Sequence, residues 1–156
     1  MHFRRFVPLL VAVFLWTGSA LAQNTSTGST VTRDLNLPVV GLAISETAQI
    51  NVVNLAPASF SGTAASCTGT ITFYNASGSA IASPTSFTIG SGQISSASLP
   101  HSETGATGRT SVRGVVALTR TVGAGVPCAL ASNIETYDTE TGVTHVHAGG
   151  GSSIIR

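Results

Sequence analysis

The stretch that decides the fold is CTGTITFY, Cys67–Tyr74. Along it, Cys67, Ile71 and Phe73 fall on one face, and threonines fall on the other. Apolar residues that recur with a period of two indicate a strand with one buried face. β-Branched and aromatic side chains are also those that strands favour. We therefore predict a strand whose cysteine points into the core.

Residues 1–22 have the pattern of a secretory signal peptide. Two arginines precede an apolar stretch, FVPLLVAVFLW (6–16), which leads to A-L-A at 20–22. The apolar stretch is about half of the roughly 20 residues that a membrane-spanning helix needs. We expect cleavage after Ala22 and secretion to the periplasm, the cell surface or the medium. No second apolar run follows in the sequence, so no membrane span is predicted.

The chain has two cysteines, Cys67 and Cys128. Cys128 shares a face with Leu130 and Ile134 on a second alternating stretch, so both cysteines are expected to point inward. In an exported protein, an even pair of cysteines most simply forms a disulfide. Two inward cysteines on separate strands also meet the requirement for a bridge between packed sheets. We predict a Cys67–Cys128 disulfide.

The chain after the signal peptide divides into three segments. Residues 23–36 are polar, rich in Ser and Thr and without a core face, so we expect a flexible leader. Ordered structure is expected to begin at Leu37, and the folded domain to span 37–148. The last residues, 149–156, form a glycine-rich tail in which two isoleucines suggest a short strand.

Alternation recurs within the domain, in Thr47–Leu55 and in Thr110–Val122. Turn signals at 75–78, 90–92 and 139–142 predict three hairpins. Strands therefore recur about every ten residues, and no helical period follows the signal peptide. We predict an all-β fold, an antiparallel immunoglobulin-like β-sandwich of about 7–8 strands with one disulfide.

The composition argues against two classes of partner. The chain contains no lysine, and its 7 arginines face 6 acidic residues, for a formal net charge of +1. Without a basic excess there is no electrostatic attraction towards nucleic acid or anionic lipid. We expect a partner that is a protein or another component of the cell surface.

The stretch TGVTHVHAGGG (141–151) contains His145 and His147, which alternate along a predicted strand. Histidines at this spacing occur in metal sites built on sheets. A third ligand would be required, for which the candidates are His101, Glu103, Asp138 and Glu140. The alternative is an exposed edge strand near the end of the domain, on which imidazoles need no ligand. The sequence leaves both interpretations open.

No set of residues typical of catalysis stands out in the sequence. There is no G-x-S-x-G motif, both cysteines are expected to be bonded, and no phosphate-binding or dinucleotide-binding motif occurs. Glu135 and Glu140 could pair for glycoside cleavage, but carboxylates beside a turn are usually just solvated. We therefore predict a protein that is not an enzyme and that carries no cofactor.

Four segments together resemble a group of small, uncharacterised, secreted bacterial proteins. The segments are ETAQINVVNLAP (46–57), CTGTITFYNASGSAI (67–81), RTSVRGVVAL (109–118) and CALASNIETYDTETGVT (128–144). The resemblance covers about residues 37–146 and implies the same β-sandwich, with Cys67 and Cys128 as its bridge. The function that it implies is unknown. The ending HVHAGGGSSIIR departs from the group, so His145 and His147 are particular to this chain.

A weaker resemblance, carried by GTITF (69–73), is to the chaperone-usher fimbrial subunits. It implies a filament subunit that donates the leader, residues 23–36, as a strand to its neighbour. The long cysteine spacing and the lack of a penultimate aromatic residue depart from that family. The first functional hypothesis is therefore a secreted, non-enzymatic structural or interaction module. The filament subunit and a metal-binding domain centred on His145 and His147 are the alternatives.

Overall fold

The structure is a computed structural model, and it describes residues 29–57, 66–121 and 128–155. The predicted signal peptide with its cleavage site, 1–22, lies outside the described residues, as does the first part of the leader, 23–28. In the described part of the chain, no helix is both long and apolar enough to cross a bilayer.

The described residues form eight β-strands and one short 3-10 helix. The strands are β1 (Thr30–Leu42), β2 (Glu46–Asn54), β3 (Cys67–Asn75), β4 (Thr85–Ile89), β5 (Ile94–Pro100), β6 (Thr110–Thr121), β7 (Cys128–Asp138) and β8 (Thr144–Ile155). The 3-10 helix, His101–Thr104, follows β5, and no α-helix occurs among the described residues. The prediction of an all-β fold with 7–8 strands is confirmed.

The strands form two four-stranded sheets, in which every pairing is antiparallel. The first sheet has the order β1-β6-β3-β4, and the second sheet has the order β5-β2-β7-β8. Successive strands are neighbours only in the pairs β3–β4 and β7–β8. All other connections pass from one sheet to the other, so both sheets are completed only when the whole domain has folded.

One hydrophobic core lies between the two sheets. The alternation predicted from the sequence holds for its residues: Ile71 and Phe73 of β3 are buried, as are Leu130 and Ile134 of β7. On β6, the inward positions at Val112, Val116 and Leu118 are also buried. Among the described residues, the core contains fifteen buried Val, Leu, Ile and Phe side chains, and each contributes roughly 1.5–3 kcal/mol when fully removed from water, so their burial provides most of the driving force for folding.

Cys67 and Cys128 form a disulfide, as predicted. The cysteine side chains are buried, and their Cα atoms are 5.4 Å apart. Cys67 begins β3 in the first sheet and Cys128 begins β7 in the second, so the bridge joins the two sheets covalently. It is a link between residues separated by 61 positions in the chain.

Strand β1 begins at Thr30, inside the segment for which the sequence predicts a flexible leader. It pairs with β6 from Thr30–Thr121 to Asn36–Val115. Leu35 packs against the core, and the other side chains of this part of β1 are exposed, so backbone hydrogen bonds to β6 hold most of the segment. A polar composition does not reveal such a strand, and the folded structure starts earlier than the expected boundary at Leu37.

Strand β8 continues to Ile155, through the segment predicted to be a glycine-rich tail. Its glycines pair with β7: Gly149 lies opposite Asn133, and the pairing resumes at Ser152 after a bulge. The two isoleucines of the tail are strand residues, but the strand that contains them is far longer than the sequence suggests. Glycine weakens a strand on average, so composition alone argues against this element.

The turn at 90–92 does not close the hairpin that the sequence predicts, because β4 pairs with β3 in the first sheet and β5 pairs with β2 in the second. The N–H of Gly92 donates to the carbonyl of Asn54 at 2.8 Å, and the N–H of Asn54 donates to the carbonyl of Gln93 at 3.1 Å. These bonds fix the turn to the end of β2. The hairpin predicted around 139–142 is confirmed by the pairing of β7 with β8.

Candidate functional site

Both histidines of the predicted metal site lie on β8, but they occupy different environments. His147 lies in register opposite Glu135 of β7. The pairing shifts by one residue at His145, which therefore has no direct partner in β7. A bulge of this kind redirects the side chain of the extra residue. Simple alternation along the sequence does not predict the position of the His145 ring.

The imidazole of His145 is paired with the carboxylate of Glu46, at the start of β2. Nδ1 of His145 lies 2.6 Å from Oε1 of Glu46, and Oε2 of the same carboxylate accepts the backbone N–H of Ala43 at 2.7 Å. The pKa of Glu46 is lowered, first by the Ala43 N–H, then by the hydrogen bond from His145, with a smaller contribution from the charge of Arg109. Partial burial opposes this effect. The contact between His145 and Glu46 links β8 to the β1–β2 turn.

The imidazole of His147 lies near a different carboxylate, that of Glu135. Its Nδ1 lies 3.8 Å from Oε2 of Glu135, and its side chain is 58% exposed. The residues that the structure describes contain no grouping of three or more His, Cys, Asp or Glu side chains that could hold a metal ion. The structure thus arranges His145 and His147 as two histidine–carboxylate pairs.

The residues considered as a third metal ligand have other contacts or lie exposed. His101 is buried, and its Nε2 is 2.7 Å from the carbonyl oxygen of Gly108. Oδ1 of Asp138 accepts the N–H and the hydroxyl of Thr141, each at 2.8 Å, and these bonds lower the pKa of Asp138. Asp138 therefore stabilises the β7–β8 turn through its contacts with Thr141. The remaining candidates, Glu103 and Glu140, are exposed.

The outward side of the second sheet carries two rows of polar side chains across its strands. The first row is Ser98, Gln49, Glu135 and His147, in the order β5-β2-β7-β8. The second row is Ser96, Asn51 and Asn133, in the order β5-β2-β7. We refer to these seven residues as the polar face. Each of them is exposed or partly exposed, so the face is open to a partner.

Hydrogen bonds connect the side chains of the polar face across three strands. Asn51 is at the centre: Nδ2 donates to Oε1 of Glu135 at 2.9 Å, and Oδ1 accepts from Nε2 of Gln49 at 2.7 Å. The hydroxyl of Ser96 donates to the same Oδ1 at 2.6 Å. The hydroxyl of Ser98 donates to Oε1 of Gln49 at 3.3 Å. These contacts hold exposed and partly exposed side chains in defined conformations across β5, β2 and β7.

The sequence places Gln49 and Asn51 on the polar side of β2, but it does not reveal the network. The hydrogen-bond partners on β5 and β7 are 45 to 86 residues away in the chain. Only the register of β2 with its two neighbours brings them together. A residue whose hydrogen-bond partners lie on neighbouring strands therefore cannot be recognised from the sequence next to it.

Part of the leader that would be donated as a strand already pairs with another strand of the same chain. Residues 30–36 form the first half of β1 and pair with β6. Donation to a neighbouring subunit would require this pairing to break.

Comparisons of the chain with protein-family models, with curated proteins and with solved structures found no match.

Proposed function

We propose that this protein is a secreted, non-enzymatic interaction module of the immunoglobulin-like β-sandwich type, which acts at the cell surface or outside the cell. Its partner is a protein or another component of the cell surface, bound through the polar face. The inter-sheet disulfide supports the immunoglobulin-like assignment, because a bridge between the two sheets is a hallmark of that class. It supports export, because disulfides persist in oxidising compartments.

The observation that carries the proposal is the hydrogen-bond network around Asn51, which fixes exposed and partly exposed side chains. Fixing a glutamine or asparagine side chain costs up to about 1.5–2 kcal/mol of conformational entropy. An intramolecular hydrogen bond returns only about 0.5–1.5 kcal/mol net. The network on Gln49, Asn51 and Glu135 therefore adds little to stability. It does present donors and acceptors in fixed positions, which lowers the entropic cost of binding a partner.

The chemistry of the polar face fits recognition of a polar surface. Amide groups both donate and accept, the Glu135 carboxylate accepts, and the hydroxyls of Ser96 and Ser98 do either. The side chains of Glu135 and His147 are 21% and 58% exposed, so a partner can reach both. Such a face is complementary to hydroxyl and amide groups, as found on glycans and on the exposed backbone of proteins.

The proposal is tested with fluorescently labelled, disulfide-bonded protein added to cells of the organism that encodes it, with the bound fraction read by flow cytometry. The variant Gln49→Ala/Asn51→Ala removes the centre of the network. We expect its half-saturation concentration to rise at least about tenfold, because two or more fixed hydrogen bonds to the partner are lost. Glu135→Gln, which keeps the shape of the side chain, is expected to weaken binding less.

The matched control is Thr68→Ala/Thr70→Ala, which removes two outward polar side chains from β3 in the first sheet. This variant should bind as the wild-type protein does. Equal binding by the Gln49→Ala/Asn51→Ala variant, or saturable binding by none of the proteins, would contradict the assignment of the polar face.

A further inference from the structure

A second surface feature lies on the other sheet and is independent of the polar face. A groove of about 470 Å³ runs between the irregular part of β1 at Val39, the β3–β4 turn at Asn75–Gly78, and the start of β6 at Ser111–Arg113. Val39 is 65% exposed and forms an apolar wall of the groove. Arg113 supplies a cation to the same groove.

The guanidinium of Arg113 is held in place by two neighbours. It lies 4.9 Å from the centroid of the Tyr74 ring, and its Nη1 donates to Oδ1 of Asn36 at 3.2 Å. Among the described residues, no carboxylate lies within ion-pair distance of it. A guanidinium has five N–H donors in a planar fork, so most of the donors of Arg113 have no acidic partner.

The turn that forms the opposite wall of the groove is already ordered. Oδ1 of Asn75 accepts the N–H groups of Ser77 and Ser79 at 3.1 and 2.9 Å, and the hydroxyl of Ser77 at 2.7 Å. Gly78 has a φ of 82°, which favours glycine and fixes the path of the turn. The N–H groups of Ser77, Gly78 and Ser79 are used within the turn, and Arg113 is the one charged residue among the described residues that line the groove.

We infer that this groove binds the free carboxyl terminus of a peptide chain whose last residue is small and apolar. The planar fork of Arg113 matches a carboxylate, and Val39 with Ala76 provides the apolar contact for the terminal side chain. An acidic sugar fits less well, because the Tyr74 face that would stack on a sugar ring is covered by the guanidinium. A phosphate is typically held by several N–H groups at once, and those of Ser77, Gly78 and Ser79 are already bonded within the turn.

The test is a titration of the ¹⁵N-labelled, disulfide-bonded protein with the peptide acetyl-Gly-Ala-Val, as the free acid and as the carboxyl-terminal amide, followed by ¹H–¹⁵N NMR. With the acid we expect saturable shifts at the backbone amides of Gly78 and Ser111 and at Nε–H of Arg113. The amide peptide should bind at least about tenfold more weakly, because it cannot form the charge-assisted pair. This comparison uses the wild-type protein only, so it does not depend on any variant folding.

Two variants locate the contact. Arg113→Gln should abolish the difference between acid and amide, while Arg120→Gln, which removes the same charge seven positions along β6, should preserve it. Asn36→Asp keeps Arg113 but supplies a carboxylate beside the guanidinium, so it should weaken binding of the acid peptide as well. Equal affinity for acid and amide, retention of the difference in Arg113→Gln, or tighter binding of glucuronate than of the acid peptide would overturn the inference.

Discussion

Leu37 of β1 occupies the space that a side chain on Gly150 of β8 would need. A Cβ on Gly150 would collide with Cδ2 of Leu37 and with the carbonyl oxygen of Ser132. On the other side of Leu37, a Cβ on Gly114 would lie 3.0 Å from Cδ1. Since β1 and β8 are edge strands of different sheets, Leu37 closes the side of the core between them. Gly114 of β6 and Gly150 of β8 leave the space that the Leu37 side chain occupies.

The first prediction is that Gly150→Ala destabilises the protein by about 1–3 kcal/mol, the usual cost of overpacking a filled site. The neighbouring variant Gly149→Ala is the control, because no atom lies within 4 Å of a Cβ placed there. It should change the free energy of unfolding by no more than about 0.5 kcal/mol. Urea unfolding of both variants measures the difference. Equal effects would show that Leu37 does not require a glycine at position 150.

The features of the fold that follow from local alternation could be predicted from the sequence. Cys67, Ile71 and Phe73 are buried because a strand places every second residue on one face, and Cys128 follows the same rule on β7. The assignment of β4 and β5 to different sheets could not be predicted, because the sequence pattern of a strand does not specify its partner. The start of β1, from Thr30, could not be predicted either, because its side chains are exposed and mostly polar and give no apolar alternation.

The sequence predicts only part of the candidate site. His145 and His147 are visible as a pair, but the bulge that directs His145 towards Glu46 depends on the pairing of β7 with β8. Asn51 and Arg113 gain their surroundings from strands distant in the chain. Their residue types suggest polar or charged surface positions, and only the register shows which groups they meet.

The second prediction concerns the disulfide. Cys67→Ala/Cys128→Ala should destabilise the protein by about 4 kcal/mol, because a bridge across 61 residues restricts the unfolded chain. Urea unfolding of the variant and of the oxidised wild-type protein gives the difference. Reduced wild-type protein is the control: it keeps both sulfur atoms in the core, so it separates the loss of the bridge from the loss of packing. A difference below about 1 kcal/mol for both proteins would show that the bridge contributes little.

The third prediction is that Thr136→Val stabilises the protein. Thr136 is fully buried, and its Oγ1 has no hydrogen-bond partner among the described residues. Replacing an unpartnered buried hydroxyl with a methyl group removes a desolvation cost of about 1–3 kcal/mol. We expect a higher urea midpoint for this variant.

Thr47→Val is the matched control for Thr136→Val. Thr47 is buried on the adjacent strand β2, and its hydroxyl is 2.9 Å from that of Thr139. Its replacement should destabilise the protein by about 1 kcal/mol, since a hydrogen bond is lost. A destabilising effect of Thr136→Val as large as that of Thr47→Val would show that the Thr136 hydroxyl is satisfied in solution.

The last prediction follows from the contact between Glu46 and His145. Because the pKa of Glu46 is lowered in the folded protein, its carboxylate contributes stability above the ordinary glutamate pKa of about 4.3. That contribution is lost as the pH falls through the lowered pKa of the folded state. Glu46→Gln keeps the shape of the side chain but cannot ionise. The free energy of unfolding of the wild-type protein should therefore exceed that of Glu46→Gln at pH 7, and the gap should narrow steadily as the pH falls below about 4.3.

Urea unfolding at a series of pH values measures this gap, and the contribution of Asp138, whose pKa is also lowered, cancels because both proteins retain it. Glu140→Gln is the control, since Glu140 lies exposed in the nearby β7–β8 turn. Its gap to wild type should stay small and independent of pH. Added salt should shrink the Glu46 gap at pH 7, because part of it is an attraction between partly exposed charges. A gap that widens as the pH falls below about 4.3 would mean that the pKa of Glu46 is raised rather than lowered in the folded protein, and that the contacts with Ala43 and His145 do not stabilise its carboxylate.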